Sequence, residues 1–598
     1  MAHRIYAMGS GHLPERGDEV TAALVILIGA ALVAGVTLLI VKTTRSAPHA
    51  GEVASAPTVR RLIVFVLLFT LVVIGAIGLA GLLGRLMDTG VELVRDDNAS
   101  LARSLAFTLI GGPFAGLLWW IVWRRVDEPA EQDSLSWGVY VAGASTVSLI
   151  IFTSSLLSTA ASLVGGNWSP QTFSTGVVWA AVWLWHREMS KDARRRPLRL
   201  QQVAPILGAA YGLVIGTGGA TTTLGLLFEH AIHGLAGVST FGQPWWQNLL
   251  GALLWAAGGV LVWWWYWVRT KVRFARRGLA SVVLAIVGIL ASSVLMLAGA
   301  GITLNGLLRL GFDGSAPAAQ ILEPLGFSVA SAVFGALVLA YHDRAAFARS
   351  VGIARTARLL VSGVALVATA SGIGVIVNAL LVPFGSLLAG SGVRTLLIAG
   401  ISSFVVGAPL WWLAWKPAHR TETLEGSAGR RIYLIAVFGL SAVSALVTLL
   451  VLGYRLFEFA LADHGGGELI DRVRAPLGLF IATALVAAYH FSVWRQDRAV
   501  APLPGKLRTI DQVFLVASGE GLVLQRMIEE QTGAMVKLWL RKPTHSQTPT
   551  LSSDSDQDIP SFGPPLDLLA EALKDVKGKR VLVVTGPGSA IEVIPLVD

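Results

Sequence analysis

Cysteine is absent from all 598 residues, and charged residues make up only 14% of them. The first absence excludes disulfides, thiolate catalysis, cysteine zinc sites and haem attached through thioethers. The second excludes an ordinary soluble domain, in which roughly 25% of residues are charged. A third absence concerns placement. Every Asp, Glu and His in the apolar part of the chain falls within about two turns of the end of an apolar run, so no ionisable group marks an ion site at mid-membrane depth.

What the chain has instead is apolar length. Hydrophobic residues make up 54% of it, and the mean hydropathy is +0.65. Runs of about 20 apolar residues recur, each long enough to cross a hydrocarbon core of about 30 Å. Such runs must be helices, because nothing in lipid satisfies an open backbone. Most of the 20 Trp stand at run ends, where an amphipathic ring suits the headgroup layer.

The run Thr21–Ile40 lacks a basic leader and a small-residue cleavage site, so it reads as a retained helix. Twelve more runs follow near 61–84, 104–123, 137–163, 171–186, 202–228, 247–268, 278–306, 325–341, 357–382, 394–415, 431–455 and 475–494, the run at 171–186 being short and Trp-rich. The expected fold is an all-α polytopic membrane protein of about thirteen helices, with a small α/β domain at its C-terminal end.

The connections alternate in charge. One set, including Arg194–Arg196, Arg273–Arg277 and Arg430–Arg431, holds 29 Lys and Arg. The other holds eight: Arg85, Arg95, Arg103, Arg309, Arg394, Arg455, Arg472 and Arg474. The positive-inside rule makes the first set cytoplasmic, with the N-terminus outside and the C-terminus inside the inner (plasma) membrane. The net charge of +10 is thereby a matter of topology, and no nucleic-acid partner is implied.

Internal repetition is the strongest organisational signal. Every second helix after the first ends in aromatic residues and a base, and two kinds of ending alternate. One kind is Trp119-Trp120, Trp264-Trp265 and Trp411-Trp412. The other is Trp185-His186, Tyr341-His342 and Tyr489-His490. The economical division is an N-terminal segment, 1–56, three four-helix repeats in one orientation at 57–197, 200–352 and 355–500, and a cytoplasmic domain at 507–598. Tandem four-helix membrane units with these endings resemble the bacterial domain of unknown function 5671 family. That resemblance implies the membrane class and carries no functional residue with it.

Three groups of side chains are candidates for chemistry, each against a plainer reading. Thr221, Thr222, Thr223, Asn305 and Asn378 are polar residues inside apolar runs and would line a solute path. The plainer reading is that hydroxyls and small residues let helices approach and bond. In Ile215–Thr223, unwinding at Gly216, Gly218 and Gly219 would offer carbonyls to an ion. Glu229, His230 and His233 share a helix end at i, i+3 and i+4 spacing, but a metal would need a further ligand that the sequence does not name. The aromatic and histidine endings (Trp119, Trp120, Trp264, Trp265, Trp411, Trp412, His186, His342 and His490) read as an interfacial belt that fixes helix depth.

After Pro504 the pattern becomes strand, helix, strand, mobile loop (543–563), helix, strand, strand. The Gly519–Gly521 turn lacks both a dinucleotide fingerprint and a Walker lysine, so docking to a partner or to a second copy through 507–598 is the expected use. No cofactor is implied, and membrane lipids are the one sure class of partner. The leading functional reading is a non-enzymatic scaffold or accessory subunit. The alternatives are a transporter or channel for a neutral or lipidic solute, and a membrane enzyme acting on a lipid or pigment.

Overall fold

The structure, a computed structural model, describes residues 56–88, 98–236, 244–275, 278–314, 316–384, 392–420, 427–461 and 466–500 of the helical part. In the C-terminal part it describes 512–517, 534–540, 580–585, 591–596 and scattered positions between 521 and 529. The expected helix at Thr21–Ile40 lies outside the described residues.

The other twelve expected spans are all helical. They are α1 (Ala56–Met87), α2 (Asn98–Arg125), α3 (Leu135–Val164), α4 (Pro170–Lys191), α5 (Val203–Ala236), α6 (Trp245–Arg269), α7 (Leu279–Phe312), α8 (Leu325–Arg349), α9 (Val351–Leu381), α10 (Val393–Arg420), α11 (Ser427–Leu461) and α12 (Gly466–Val500). Eleven of the described helices are long and apolar enough to cross a membrane, so the protein is a multi-pass membrane protein. The exception is α4, which is shortened by its charged last turns, Arg187–Lys191. The helix ends follow local chemistry. Ser134 caps α3 by accepting from the Trp137 amide at 3.2 Å, and Ser350 caps α9 through the Ile353 amide at 3.2 Å. Pro170 opens α4 at a position where a missing N–H costs nothing.

Within the helical part, α5 packs along α6 and α9 along α10 at close range. Glycines permit this. A Cβ on Gly212 would strike Trp263, one on Gly219 would strike Ala256 and one on Gly259 would strike Gly216, in each case at the backbone. In the α9–α10 pair, Gly372 meets Phe404 and Gly407 meets Thr369. The segment Ile215–Thr223 is therefore unbroken helix, and its glycines serve helix contact.

Polar ties at one end of the first four helices hold α3 against the chain that follows α4. The Trp137 indole donates to the Arg195 carbonyl at 2.9 Å, and Leu198 N donates to Gln132 O at 2.9 Å. Arg199 grips the Asp133 carboxylate with two bonds of 3.0 and 2.8 Å, and Arg61 meets Glu131 at 2.8 Å. These ties fix α3 beside α4.

The chain divides into two compact units between Phe491 and Ser492. The second holds a four-stranded sheet of β1 (Gln512–Ala517), β2 (Met535–Leu540), β3 (Arg580–Thr585) and β4 (Ile591–Leu596), in the order β2-β1-β3-β4. β1 is parallel to β2 and β3, and β4 returns antiparallel to β3. One face of β1 and β3, through Val513, Leu515, Val581 and Val583, packs with Leu524 and Ile528 into a core of its own. This is the small α/β domain expected from the sequence. The expected loop 543–563 and helix 566–577 lie outside the described residues.

Candidate functional site

The three histidine endings share one geometry. Nδ1 of His186, His342 and His490 lies 2.8 Å from the carbonyl four residues earlier, on Val182, Val338 and Val486. A carbonyl can only accept, so Nδ1 carries the hydrogen and Nε2 of the neutral ring keeps its lone pair. Each ring also meets a Trp, with centroids 6.0 Å apart for Trp119–His186, 5.5 Å for Trp267–His342 and 5.8 Å for Trp415–His490. The nine aromatic and histidine residues of the expected belt fall into two environments. Trp120, Trp264 and Trp412 are exposed on the lipid-facing surface, and Arg124 and Lys416 cover the first and last of them. The histidines instead are buried, at 2, 3 and 0% exposure, because their ring nitrogens are drawn inward by the helix carbonyl and the aromatic packing.

The repeat register also needs a correction of one residue. Trp411 stands edge-on to Tyr489 at 5.5 Å, and the residue that stands edge-on to Tyr341, also at 5.5 Å, is Trp263, with Trp264 outside the contact. One turn on, the Trp267 indole donates to Tyr341 at 3.0 Å and the Trp415 indole to Tyr489 at 2.8 Å. Trp119, Trp263 and Trp411 are thus the equivalent positions. Five aromatics in a row, Trp263–Trp267, hide that register in the sequence.

The three successive groups of four helices, α1–α4, α5–α8 and α9–α12, form three quartets that differ at Nε2. In the first, the Tyr140 hydroxyl on α3 lies 3.0 Å from Nε2 of His186, and Tyr140 is 4% exposed. In the third, Tyr433 on α11 takes the corresponding place, but its hydroxyl pairs with Ser362 at 3.2 Å, and His490 Nε2 has no hydrogen-bond partner among the described residues. In the second, Leu284 on α7 lies eight residues before the buried Ser292, as Tyr140 does before Ser148 and Tyr433 before Ser441. Tyr140 is the residue that reading the sequence missed. The shared Tyr-to-Ser spacing of the first and third quartets was the signal that could have found it.

The Tyr140–His186 pair stands in the wall of a cavity of about 690 Å³ between α1, α2 and α4. The rest of the lining is apolar or aromatic apart from Thr108, and includes Val72, Leu79, Leu83, Val178, Trp119 and Trp185. No charged residue contributes. Leu79, Val177 and Trp185 line the cavity and are also 49, 40 and 50% exposed, so among the described residues it is a cleft that opens sideways between the helices. From Val72 to Leu83 it follows α1 for about 16 Å, at 1.5 Å per residue.

The cleft has a local cause. Residues Phe107–Gly111 form a π-helical turn, followed by Gly112 and Pro113. Proline has no N–H to continue the ladder, and π turns occur where a helix must carry an extra residue. A Cβ on Gly112 or Gly116 would meet nothing within 4 Å, whereas Gly212, Gly259 and Gly407 of the later pairs are jammed against backbone. The α1–α2 pair is close where Gly78 meets the Thr108 backbone and Gly111 meets Ile74, and opens beside Gly116, whereas α5–α6 and α9–α10 stay close further along. Thr108, in the π turn, has a buried hydroxyl oxygen without a partner among the described residues.

The remaining candidates stay apart. Thr221 lies on α5, Asn305 on α7 and Asn378 on α9. Their side-chain oxygens are buried without a partner among the described residues. Thr223 bonds its own helix at Gly219 O, 2.8 Å away, and Thr222 is exposed. The His230 ring lies flat on Trp245 at 4.0 Å. Among the described residues, no group of three or more His, Cys, Asp or Glu is placed to hold a metal, with Glu229 and His233 included in that statement.

Comparison with known proteins gives one family. The model for "Domain of unknown function (DUF5671)" matches residues 61–184 and 355–488, which are the first and third quartets. No curated protein and no solved structure matches the chain.

Proposed function

Because two of its quartets carry the same domain of unknown function 5671, we propose that the membrane part is a tandem of three related four-helix repeats whose first member binds a neutral lipid from the bilayer. The observation that carries this is the uncharged cleft, open sideways among the described residues, whose polar groups are the Tyr140–His186 pair and Thr108. Concave, mostly apolar sites with a few convergent polar groups are what small-molecule binding requires. An aqueous solute would need more hydrogen-bonding groups than Thr108, Tyr140 and His186 supply, and a charged headgroup would need a counter-charge. A molecule with one long chain and a small uncharged head fits both the length and the lining.

This reading favours the lipidic alternative over a pure scaffold. It assigns no reaction, and the C-terminal domain keeps its proposed part in docking a partner or a second copy. The test is photolabelling. A single-chain neutral lipid bearing a diazirine, irradiated in vesicles that contain the protein, should label peptides covering 72–83 and 112–119. Labels spread evenly over all the lipid-facing helices would argue against a site.

The charge bias of the connections supports an orientation with the C-terminal domain in the cytoplasm of a plasma-membrane protein. A reporter fused after Asp598 should be active only as a cytoplasmic fusion, and export of that reporter would reverse the assignment.

A further inference from the structure

We propose that the Tyr140–His186 pair selects lipids whose head carries a hydroxyl and rejects those whose head can only accept a hydrogen bond, an inference that rests on the lipid-binding reading above. It follows from where the hydrogens must be. The Nδ1 hydrogen of His186 goes to Val182 O at 2.8 Å, so Nε2 is an acceptor. Tyr140 Oη is 3.0 Å from Nε2, and with Nε2 accepting, the phenol hydrogen points at the ring. Tyr140 lines the cleft, and what its hydroxyl can offer a ligand there is a lone pair, with no hydrogen to give.

The imidazole is held neutral by its surroundings. It is 2% exposed, its ring neighbours are Trp119 and Tyr140, and the cleft wall contains no carboxylate that would stabilise an imidazolium. An alcohol head donates to Tyr140 and completes the chain from ligand hydroxyl to Tyr140, His186 and Val182 O. An ether, ester or ketone head at this end brings a second acceptor against the first, and both lose their water without a bond in return, because the other hydroxyl of the wall, Thr108, stands eleven residues back along α2 from Trp119. The chemical class is therefore a single-chain lipid alcohol, such as a prenyl alcohol or a long-chain phenol.

The second quartet supplies an internal contrast, since Leu284 leaves His342 without a phenol at this place. In the third, Tyr433 is engaged with Ser362. Among the described residues, the first quartet joins this relay to a cleft, so one binding event per chain is expected at it.

The experiment uses the full chain in lipid nanodiscs and two radiolabelled probes, a C20 prenyl alcohol and its methyl ether. The alcohol should bind about tenfold more tightly, the factor expected when one buried acceptor is left unpaired. His186→Leu removes the acceptor that orients the phenol, so Tyr140 can donate or accept, and the two probes should come close to parity through a gain by the ether. Equal binding of both probes by the native chain would overturn the selectivity while leaving lipid binding intact. An unchanged preference in His186→Leu would overturn the role given to the pair. Binding of neither probe would overturn the lipid-binding reading as well.

Discussion

Gly219→Val should cost the helical unit about 3 kcal/mol or more, while Gly218→Val, one residue away on the same helix, should cost little. The contrast arises from what each side chain would meet. A Cβ at 219 runs into the backbone of Trp255 and Ala256 on α6, and backbone cannot rotate aside. To admit two more methyl groups the α5–α6 pair must separate along its length, which also pulls apart the close backbone approaches at Gly212 and Gly259. In lipid, that packing is much of what holds two helices together, because no hydrophobic force from water acts between them. Gly218 has nothing within 4 Å, so valine there projects into lipid. Thermal unfolding of the two variants in one detergent, followed by circular dichroism, measures the difference. Equal losses would mean that the glycines serve some purpose other than contact, such as the unwinding that the polar segment Ile215–Thr223 first suggests.

Gly116→Leu should have the opposite pattern, with stability kept and ligand binding lost by tenfold or more. Gly116 lines the cleft and has open space where a Cβ would stand. Leucine is also the better helix former, by roughly 0.5–1 kcal/mol. A leucine side chain would occupy the space beside Trp119 where a lipid chain would lie. Gly259→Leu on α6, one residue before Val260, which matches Gly116 in the register of Trp119 and Trp263, should instead unfold the α5–α6 pair, because a Cβ there strikes Gly216. The two glycine substitutions thus separate a binding role from a packing role.

Much of this architecture is written in the sequence, and the reason is lipid. Apolar runs such as Val59–Met87 and Leu279–Phe312 have only one structure open to them in a bilayer, so twelve of the expected spans are found as helices. The repetition was legible because Trp and His are rare enough to act as landmarks. It failed by one residue at Trp263–Trp267, where every neighbouring position is also aromatic. The burial of His186, His342 and His490 was not legible, because run-end position does not reveal which side of a helix faces protein. The cleft was less so. It lies beside a π turn at Phe107–Gly111 and beside Gly116, where an added Cβ would meet nothing, and in sequence this glycine looks the same as the glycines that pack. Tyr140 carried only the weak signal of its eight-residue spacing to Ser148, since its pairing is with His186, 46 residues away.

The central claim is that the first repeat holds one neutral lipid in its cleft. Its most direct test is to purify the native chain and the Gly116→Leu chain side by side, strip annular phospholipid with detergent, and quantify by mass spectrometry what an organic extract of each still contains. The account predicts about one neutral, hydroxyl-bearing lipid per native chain, in keeping with a single open cleft, and a clear loss of it from the Gly116→Leu chain at unchanged thermal stability. The same neutral lipid at equal amounts in both, or no retained neutral lipid in either, would contradict it.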